Sequence, residues 1–298
     1  MQGAALPLKV LADAVKATAD AAAAGVLQVR ARGSRPATAA HVGDDLVIAP
    51  QHALDRDDGL VVIRGDDAID ATVVGRDELL DLALLRAPGL GGSPLSSAPQ
   101  AAGPGQLVVA VARDWQGDLL ARLASITGAT CPVRRWRAEP LPSLLRTDVM
   151  PGRGVSGAVL VDPEGQVQAW LTTGLSRGTV LGIPAAVVAD RVARLTAHGR
   201  IRRGYVGVAV QPVTLPAAQQ AHGPHGLLVS GIDAQGPGAG AGLLVGDVLM
   251  AADGHDLPDP AALHARLTES RIGSPVELRV LRGVALHEIS VLVGERAR

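Results

Sequence analysis

Residues 152–161, Gly152-Arg153-Gly154-Val155-Ser156-Gly157-Ala158-Val159-Leu160-Val161, set a serine between glycines on a loop that runs straight into an apolar stretch. Flanking glycines permit a tight turn that exposes the hydroxyl and lets neighbouring N–H groups converge on one point. A serine hydroxyl is a poor nucleophile until a base takes its proton, and the oxyanion formed by attack needs donors already in place. Two upstream residues fit the remaining roles. His52 follows the apolar run Leu46-Val47-Ile48-Ala49, and Asp81 opens Asp81-Leu82-Ala83-Leu84-Leu85. In such a set His52 accepts the serine proton and Asp81 holds the imidazole in the useful tautomer. The N–H groups of Gly154 and Ser156 would face the oxyanion, each such donor being worth roughly 3–4 kcal/mol of barrier. Each residue also has a plainer reading: a turn serine, a hydrogen-bonded strand-end histidine, a strand-start cap. With eight histidines in the chain, context has to join the three.

Length and composition bound that context. A chain of 298 residues is long enough for two domains with separate cores. Formal charge is −1 with acids and bases interspersed, which argues against a nucleic-acid stripe or a polybasic membrane patch. Phe is absent, Tyr occurs once and Trp three times, so the cores must be aliphatic and base stacking is excluded as a binding mode. One cysteine, Cys131, precludes an intrachain disulfide. In residues 1–32, Asp13, Lys16 and Asp20 interrupt any apolar run, and no window has the length to span a bilayer. Leu8, Leu11, Val15 and Ala19 fall at helical spacing, so residues 1–25 are expected to be helical and the location cytoplasmic.

Beyond that helix, short aliphatic runs broken by Gly, Pro and Asp predict strands at 26–32, 46–49, 60–64, 69–74, 82–86, 106–112, 119–126, 159–161, 166–171 and 179–183. A Gly/Ser/Pro/Ala stretch, 89–105, divides them in two halves. A helix is expected over 184–198, capped by Gly199, followed by a basic hinge at 200–204. A second set of strands follows near 205–210, 226–232, 247–252, 275–281 and 287–293, with a helix at 260–268. The expected fold class is mostly β: a double β-barrel, then a small α/β domain.

The order His52, Asp81, Ser156 is that of chymotrypsin-like double barrels rather than subtilisin or α/β-hydrolases. Gly75-Arg76-Asp77 with Asp81-Leu82-Ala83-Leu84-Leu85 resembles the aspartate segment of the HtrA serine proteases. Leu145-Arg146-Thr147-Asp148 with Gly154-Val155-Ser156-Gly157 resembles their nucleophile segment, and Gly182-Ile183-Pro184 their strand-to-helix exit. The resemblance covers residues 26–298 and implies a protease domain over 26–198 with the triad His52, Asp81 and Ser156. There are departures. Ala158 and Val159 stand where the family usually has a second glycine and then proline, Val155 replaces a usual polar residue, and Pro50-Gln51 precedes His52. By the same resemblance, 169–174 would hold substrate backbone as an added strand, with Leu171, Thr172 and Thr173 as pocket candidates. The aromatic residues through which relatives trimerise are missing near the N-terminus, so a homo-oligomer remains open.

Residues 200–298 resemble a PDZ domain. Tyr205-Val206-Gly207-Val208 is similar to its carboxylate-binding loop, and Ala241-Gly242-Leu243-Leu244-Val245-Gly246-Asp247-Val248-Leu249 to its core segment. The implied mode is strand addition of a C-terminal peptide, with Leu263 and Leu267 as groove candidates beside an equal reading as core, and Arg202 and Arg203 as possible carboxylate attractors. His222 and His225 lack metal-ligand spacing, so no metal is expected and no cofactor is needed. The implied function is an ATP-independent endopeptidase acting on unfolded or misfolded proteins. Two alternatives stay open: a pseudoprotease serving as peptide scaffold or holdase, and an esterase.

Overall fold

The computed structural model describes residues 5–130, 143–176 and 178–295. After helix α1 (Ala5–Ala23) come strands β1 (Val26–Arg30), β2 (Ala37–Gly43), β3 (Leu46–Pro50), β4 (Leu60–Arg64), β5 (Asp67–Asp77) and β6 (Leu82–Arg86). They close a barrel in the order β1-β2-β3-β6-β5-β4, sealed by β1 against β4 with Val29 opposite Val62. A second barrel contains β7 (Leu107–Arg113), β8 (Leu119–Thr130), β9 (Leu144–Thr147), β10 (Val159–Val161), β11 (Val167–Thr172) and β12 (Leu181–Pro184). Its order is β10-β11-β12-β9-β8-β7, sealed by β10 against β7. Helix α2 (Ala185–His198) follows and ends at Gly199, which takes φ +67° and returns its N–H to Leu195 O at 2.8 Å.

The apolar runs are continuous because these strands bury both faces. Side chains alternate across a strand. Val47 and Ala49 of β3, with Ala83 and Leu85 of β6, enter the first barrel's interior. Ile48, Leu82 and Leu84 face outward into a layer shared with Val109, Val111, Val159, Trp170 and Ile183 of the second barrel. The second barrel fills its own interior with Val108, Ile126, Leu160 and Leu171. The largest fully buried side chains are all Leu or Ile, as a chain without Phe requires.

The stretch expected as a connector joins β6 to β7 and is fastened to both barrels. Leu95 N–H donates to His41 O at 3.0 Å and Val167 N–H to Ser96 O at 2.7 Å. The sequence expectation omitted β2 and β9.

Among the described residues, 202–295 form a unit of their own, distinct from that of 5–130 and 143–201. Its elements are β13 (Gly204–Tyr205), β14 (Val208–Thr214), β15 (His225–Ile232), α3 (Pro237–Gly240), β16 (Val248–Ala252), β17 (His255–Asp256), α4 (Pro260–Arg266), β18 (Pro275–Arg282), β19 (Ala285–Leu292) and β20 (Gly294–Glu295). The main sheet runs β14-β15-β16-β18-β19, which leaves β14 at an edge. Asp259 caps α4 by accepting from Ala262 N–H at 2.9 Å.

Candidate active site

Two glycines build the serine turn. Gly154 has φ +75° and Gly157 φ +89°. A Cβ at 154 would lie 2.4 Å from Arg113 O, and one at 157 only 1.9 Å from Thr38 O. The turn therefore closes against β7 and β2 only with glycine at both places. Thr38 ties the same elements together. Its buried hydroxyl accepts from Arg113 N–H at 3.1 Å, while Gly154 O at 2.7 Å and Arg113 O at 2.9 Å share its hydrogen. Val155 and Ala158 both bury their side chains in the second barrel's core. The apolar residue at 155 and the methyl at 158 are thus accommodated within that core.

His52 sits on a single 3₁₀ turn, Gln51–Ala53, directly after β3. Asp81, in the left-handed region at φ +57°, enters β6 from a turn flanked by the buried Leu80 and Leu82. Aspartate tolerates that region better than most residues because its short side chain bonds locally. Its Oδ2 lies 2.7 Å from His52 Nδ1, and its Oδ1 accepts the His52 backbone N–H at 2.8 Å. The Asp81 side chain is 5% exposed and that of His52 43%. The hydrogen bond to Asp81 raises the His52 pKa; burial opposes it, and the charges of Asp81 and Asp55 add to the rise.

The end of β11 joins the pieces. Thr172 donates its hydroxyl to Asp81 Oδ2, Thr173 N–H donates to Ser156 Oγ at 3.4 Å, and Gly174 packs where a Cβ would lie 2.8 Å from His52 Nδ1 and 2.5 Å from Asp81 Oδ2. Three successive residues touch all three members of the set. Among the described residues there is no hydrogen bond between Ser156 Oγ and His52, and the N–H groups of Gly154 and Ser156 meet no acceptor. Asp81 and His52 are joined directly; Ser156 is joined to them through 172–174.

This placement corrects the pocket expectations. Residues 169–172 pair with β12, 169 and 170 also pair with β10, and Leu171 exchanges backbone hydrogen bonds with Gly157 and Ala158, so of 169–174 only Thr173 and Gly174 remain beyond the paired strand. Leu171, 1% exposed, lines a small cavity beside the serine turn with Arg153, Val155 and Ala158, whereas Thr172 is turned onto Asp81 and lies outside that lining. Thr38, and the place of Gly174 against His52 and Asp81, escaped the sequence reading, since a buried hydroxyl and a close backbone approach leave no local pattern.

In the second unit Val206 is buried, and Gly207 takes φ +79° with Gly236 Cα 3.0 Å from where a Cβ would stand. Val206 O accepts from Gly238 N–H at 2.7 Å and Gly207 O from Asp233 N–H at 2.8 Å, while Tyr205 Oη donates to Asp233 Oδ2 at 2.8 Å. The Val206 and Gly207 N–H groups meet no acceptor among the described residues. Val208 begins the edge strand β14. Leu263 and Leu267 belong to the buried core and not to a groove wall. Arg202 is engaged by Glu295 at 3.0 Å instead of standing open to a ligand carboxylate. No cluster of potential metal ligands occurs among the described residues.

Comparison with known proteins agrees with both units. A trypsin-like peptidase domain model matches residues 24–169 and a PDZ domain model matches residues 204–293. The probable periplasmic serine endoprotease DegP-like of Halomonas elongata is 29% identical over 264 residues, covering 85% of this chain and 54% of that protein. Its counterpart from Pseudomonas savastanoi pv. phaseolicola is 28% identical over 287 residues, covering 88% of this chain and 58% of that protein. The chain therefore spans little more than half the length of these relatives. The structure of the HtrA-type protease AlgW with a decapeptide superposes with a TM-score of 0.76 at 21% identity, covering 95% of this chain and 99% of that one. At that identity the likeness speaks for the fold. Both domain models, the relatives and the paired barrels agree in placing this chain in the HtrA/DegP-type trypsin-like serine proteases, with one PDZ domain after the double barrel.

Proposed function

We propose that the chain is an ATP-independent serine endopeptidase of unfolded or misfolded proteins. The supporting observation is the 172–174 segment, which contacts Asp81, Ser156 and His52 in turn. In this reading His52 Nε2 takes the proton from Ser156 Oγ as it attacks the scissile carbonyl. Asp81, fixed by Thr172, stabilises the imidazolium. The Gly154 and Ser156 N–H groups receive the oxyanion. His52 then returns its proton to the leaving amine, and water completes the hydrolysis by the same route. The protease domain is assigned to 26–198, after a helical segment at 1–25, and the PDZ domain to 200–298.

The PDZ domain would take C-terminal peptides by adding them to the open edge of β14. Val206 and Gly207 N–H groups would capture the terminal carboxylate within the loop Tyr205-Val206-Gly207-Val208. The AlgW structure was solved with a decapeptide, which favours peptide ligands for such chains. Among the described residues no helix is long and apolar enough to cross a membrane. The relatives are periplasmic by name, and the cytoplasmic location drawn from composition stands against them as a proposal that cell fractionation decides.

A fluorophosphonate probe tests the chemistry. Labelling of wild type and not of Ser156→Ala, with casein cleaved in parallel, is the expected result. Wild type that stays unlabelled with C-terminal peptides present would sink it. One observation favours a second reading as a peptide-binding scaffold: Ser156 Oγ is engaged by Thr173 N–H and not by His52. That reading expects suppression of client aggregation, unchanged by Ser156→Ala.

A further inference from the structure

Beside the serine turn, Arg35 and Arg153 stack on one indole. Their guanidinium carbons lie 4.3 and 4.5 Å from the Trp115 ring centroid. The three residues come from the β1–β2 loop, the nucleophile loop and the β7–β8 hairpin, and these segments meet at Gly154. Thr38, three residues after Arg35, shares its hydroxyl hydrogen with Gly154 O; the hairpin's Asp114 Cα lies 3.6 Å from the Cβ position at 154; Arg153 is the adjacent residue. Both arginines therefore flank the turn that carries Ser156.

Stacking occupies a guanidinium's faces and leaves its in-plane donors unspent. The neighbouring Arg113 shows the opposite case: its Nε, Nη1 and Nη2 donate to Val26 O, Gly117 O and Ala23 O at 2.6, 2.8 and 2.9 Å. Among the described residues Arg35 and Arg153 make no hydrogen bond and no ion pair, and both are exposed. Two like charges are thus drawn to one ring with no carboxylate between them, in a chain with 28 basic and 29 acidic residues. A carboxylate arriving there would accept from preorganised forks and relieve their repulsion.

We infer that Arg35 and Arg153, held by Trp115, form an anionic-side-chain subsite that takes an Asp or Glu of the bound polypeptide next to the bond presented to Ser156. The inference deepens the proposed protease reading and rests on it for what is bound. Its test does not need turnover. Short fluorescein-labelled peptides with amidated C-termini, which removes the carboxylate a PDZ loop would capture, are prepared as matched Asp-Asp and Asn-Asn versions. They are titrated against the full chain carrying Ser156→Ala. The Asp peptide is expected to bind about tenfold more tightly. That ratio should fall below about twofold with Arg35→Gln and Arg153→Gln combined, and survive in part with Arg35→Lys and Arg153→Lys, which keep the charge. Equal binding of the two peptides, or a Gln variant that keeps the preference, overturns the subsite. The protease reading fails separately: an unlabelled Ser156 with an intact Asp preference removes the enzyme and leaves the subsite, and a labelled Ser156 without preference does the reverse.

Discussion

Gly174 has no side chain to contribute, and its place leaves no room for one. A methyl there would stand 2.5 Å from Asp81 Oδ2 and 2.8 Å from His52 Nδ1, so Gly174→Ala must push the pair apart or displace the end of β11. A loss of roughly 10²-fold in kcat/KM with the melting temperature little changed is expected, because a 1 Å misplacement alone can cost that much. Thr172→Val should be milder in kcat, since Asp81 loses one of the hydrogen bonds that fix it against His52. For His52 the sign is fixed by its partner. Asp81 raises its pKa by hydrogen bond and by charge, against burial, and only the neutral ring accepts a proton. Activity should rise with pH through a midpoint above the ordinary histidine value of about 6.5. Asp81→Asn should move that midpoint down and lower kcat by roughly 10⁴. A pH–rate profile of kcat/KM for both proteins measures this, and a midpoint unmoved by Asp81→Asn would remove His52 as the base.

At the level of elements, what could be read in the sequence followed how each strand meets its surroundings. Branched runs such as those of β3, β4 and β6 announce themselves. β2, Ala37–Gly43, does not: its Ala-Thr-Ala-Ala-His composition has weak strand character, and it pairs because Thr38 and His41 are buried between neighbours. β9 is four residues long, too short for a period to show. The candidates His52, Asp81 and Ser156 and the glycines around the serine could be picked out; the buried partner of Asp81 could not, because Thr172 looks the same in sequence whether it faces a pocket or a carboxylate. Ala158 marks the reverse case, an odd residue in the sequence with an ordinary place in the fold. Its side chain is 1% exposed in the second barrel's core. Ala158→Gly should therefore cost about 1–2 kcal/mol of stability, the sum of a lost buried methyl and added backbone freedom, without raising kcat. Urea denaturation beside steady-state rates would show it, and an activity gain would mean that the methyl restrains the turn.

For the molecule as a whole, two units with separate cores imply two separable responses to conditions. In the PDZ unit Asp247 is buried, which by itself pushes its carboxyl pKa up, but Arg282, donating from Nε and Nη2 at 2.7 and 2.8 Å, and Leu244 N–H together hold it below the usual range. A carboxyl depressed in the folded state contributes stability above its unfolded pKa of about 3.9 and loses it as pH falls through the lower folded value. Arg282→Gln leaves a buried charge with fewer partners, so the acid unfolding midpoint of this unit should move to higher pH. The difference from wild type should be present at pH 7 and vanish once both forms are protonated. Calorimetry across that range, with the double barrel's transition as internal reference, would detect it.

The near absence of aromatic rings has a practical corollary. Of three tryptophans, Trp170 is sealed in the layer between the barrels, while Trp115 lies under two cations beside the nucleophile loop. With Trp136 and Trp170 replaced, emission from the single remaining tryptophan would report on the surroundings of the Ser156 turn with almost no background. Quenching or release of that light when a serine-directed probe is added would turn the protein's own optics into a clock for events at that turn.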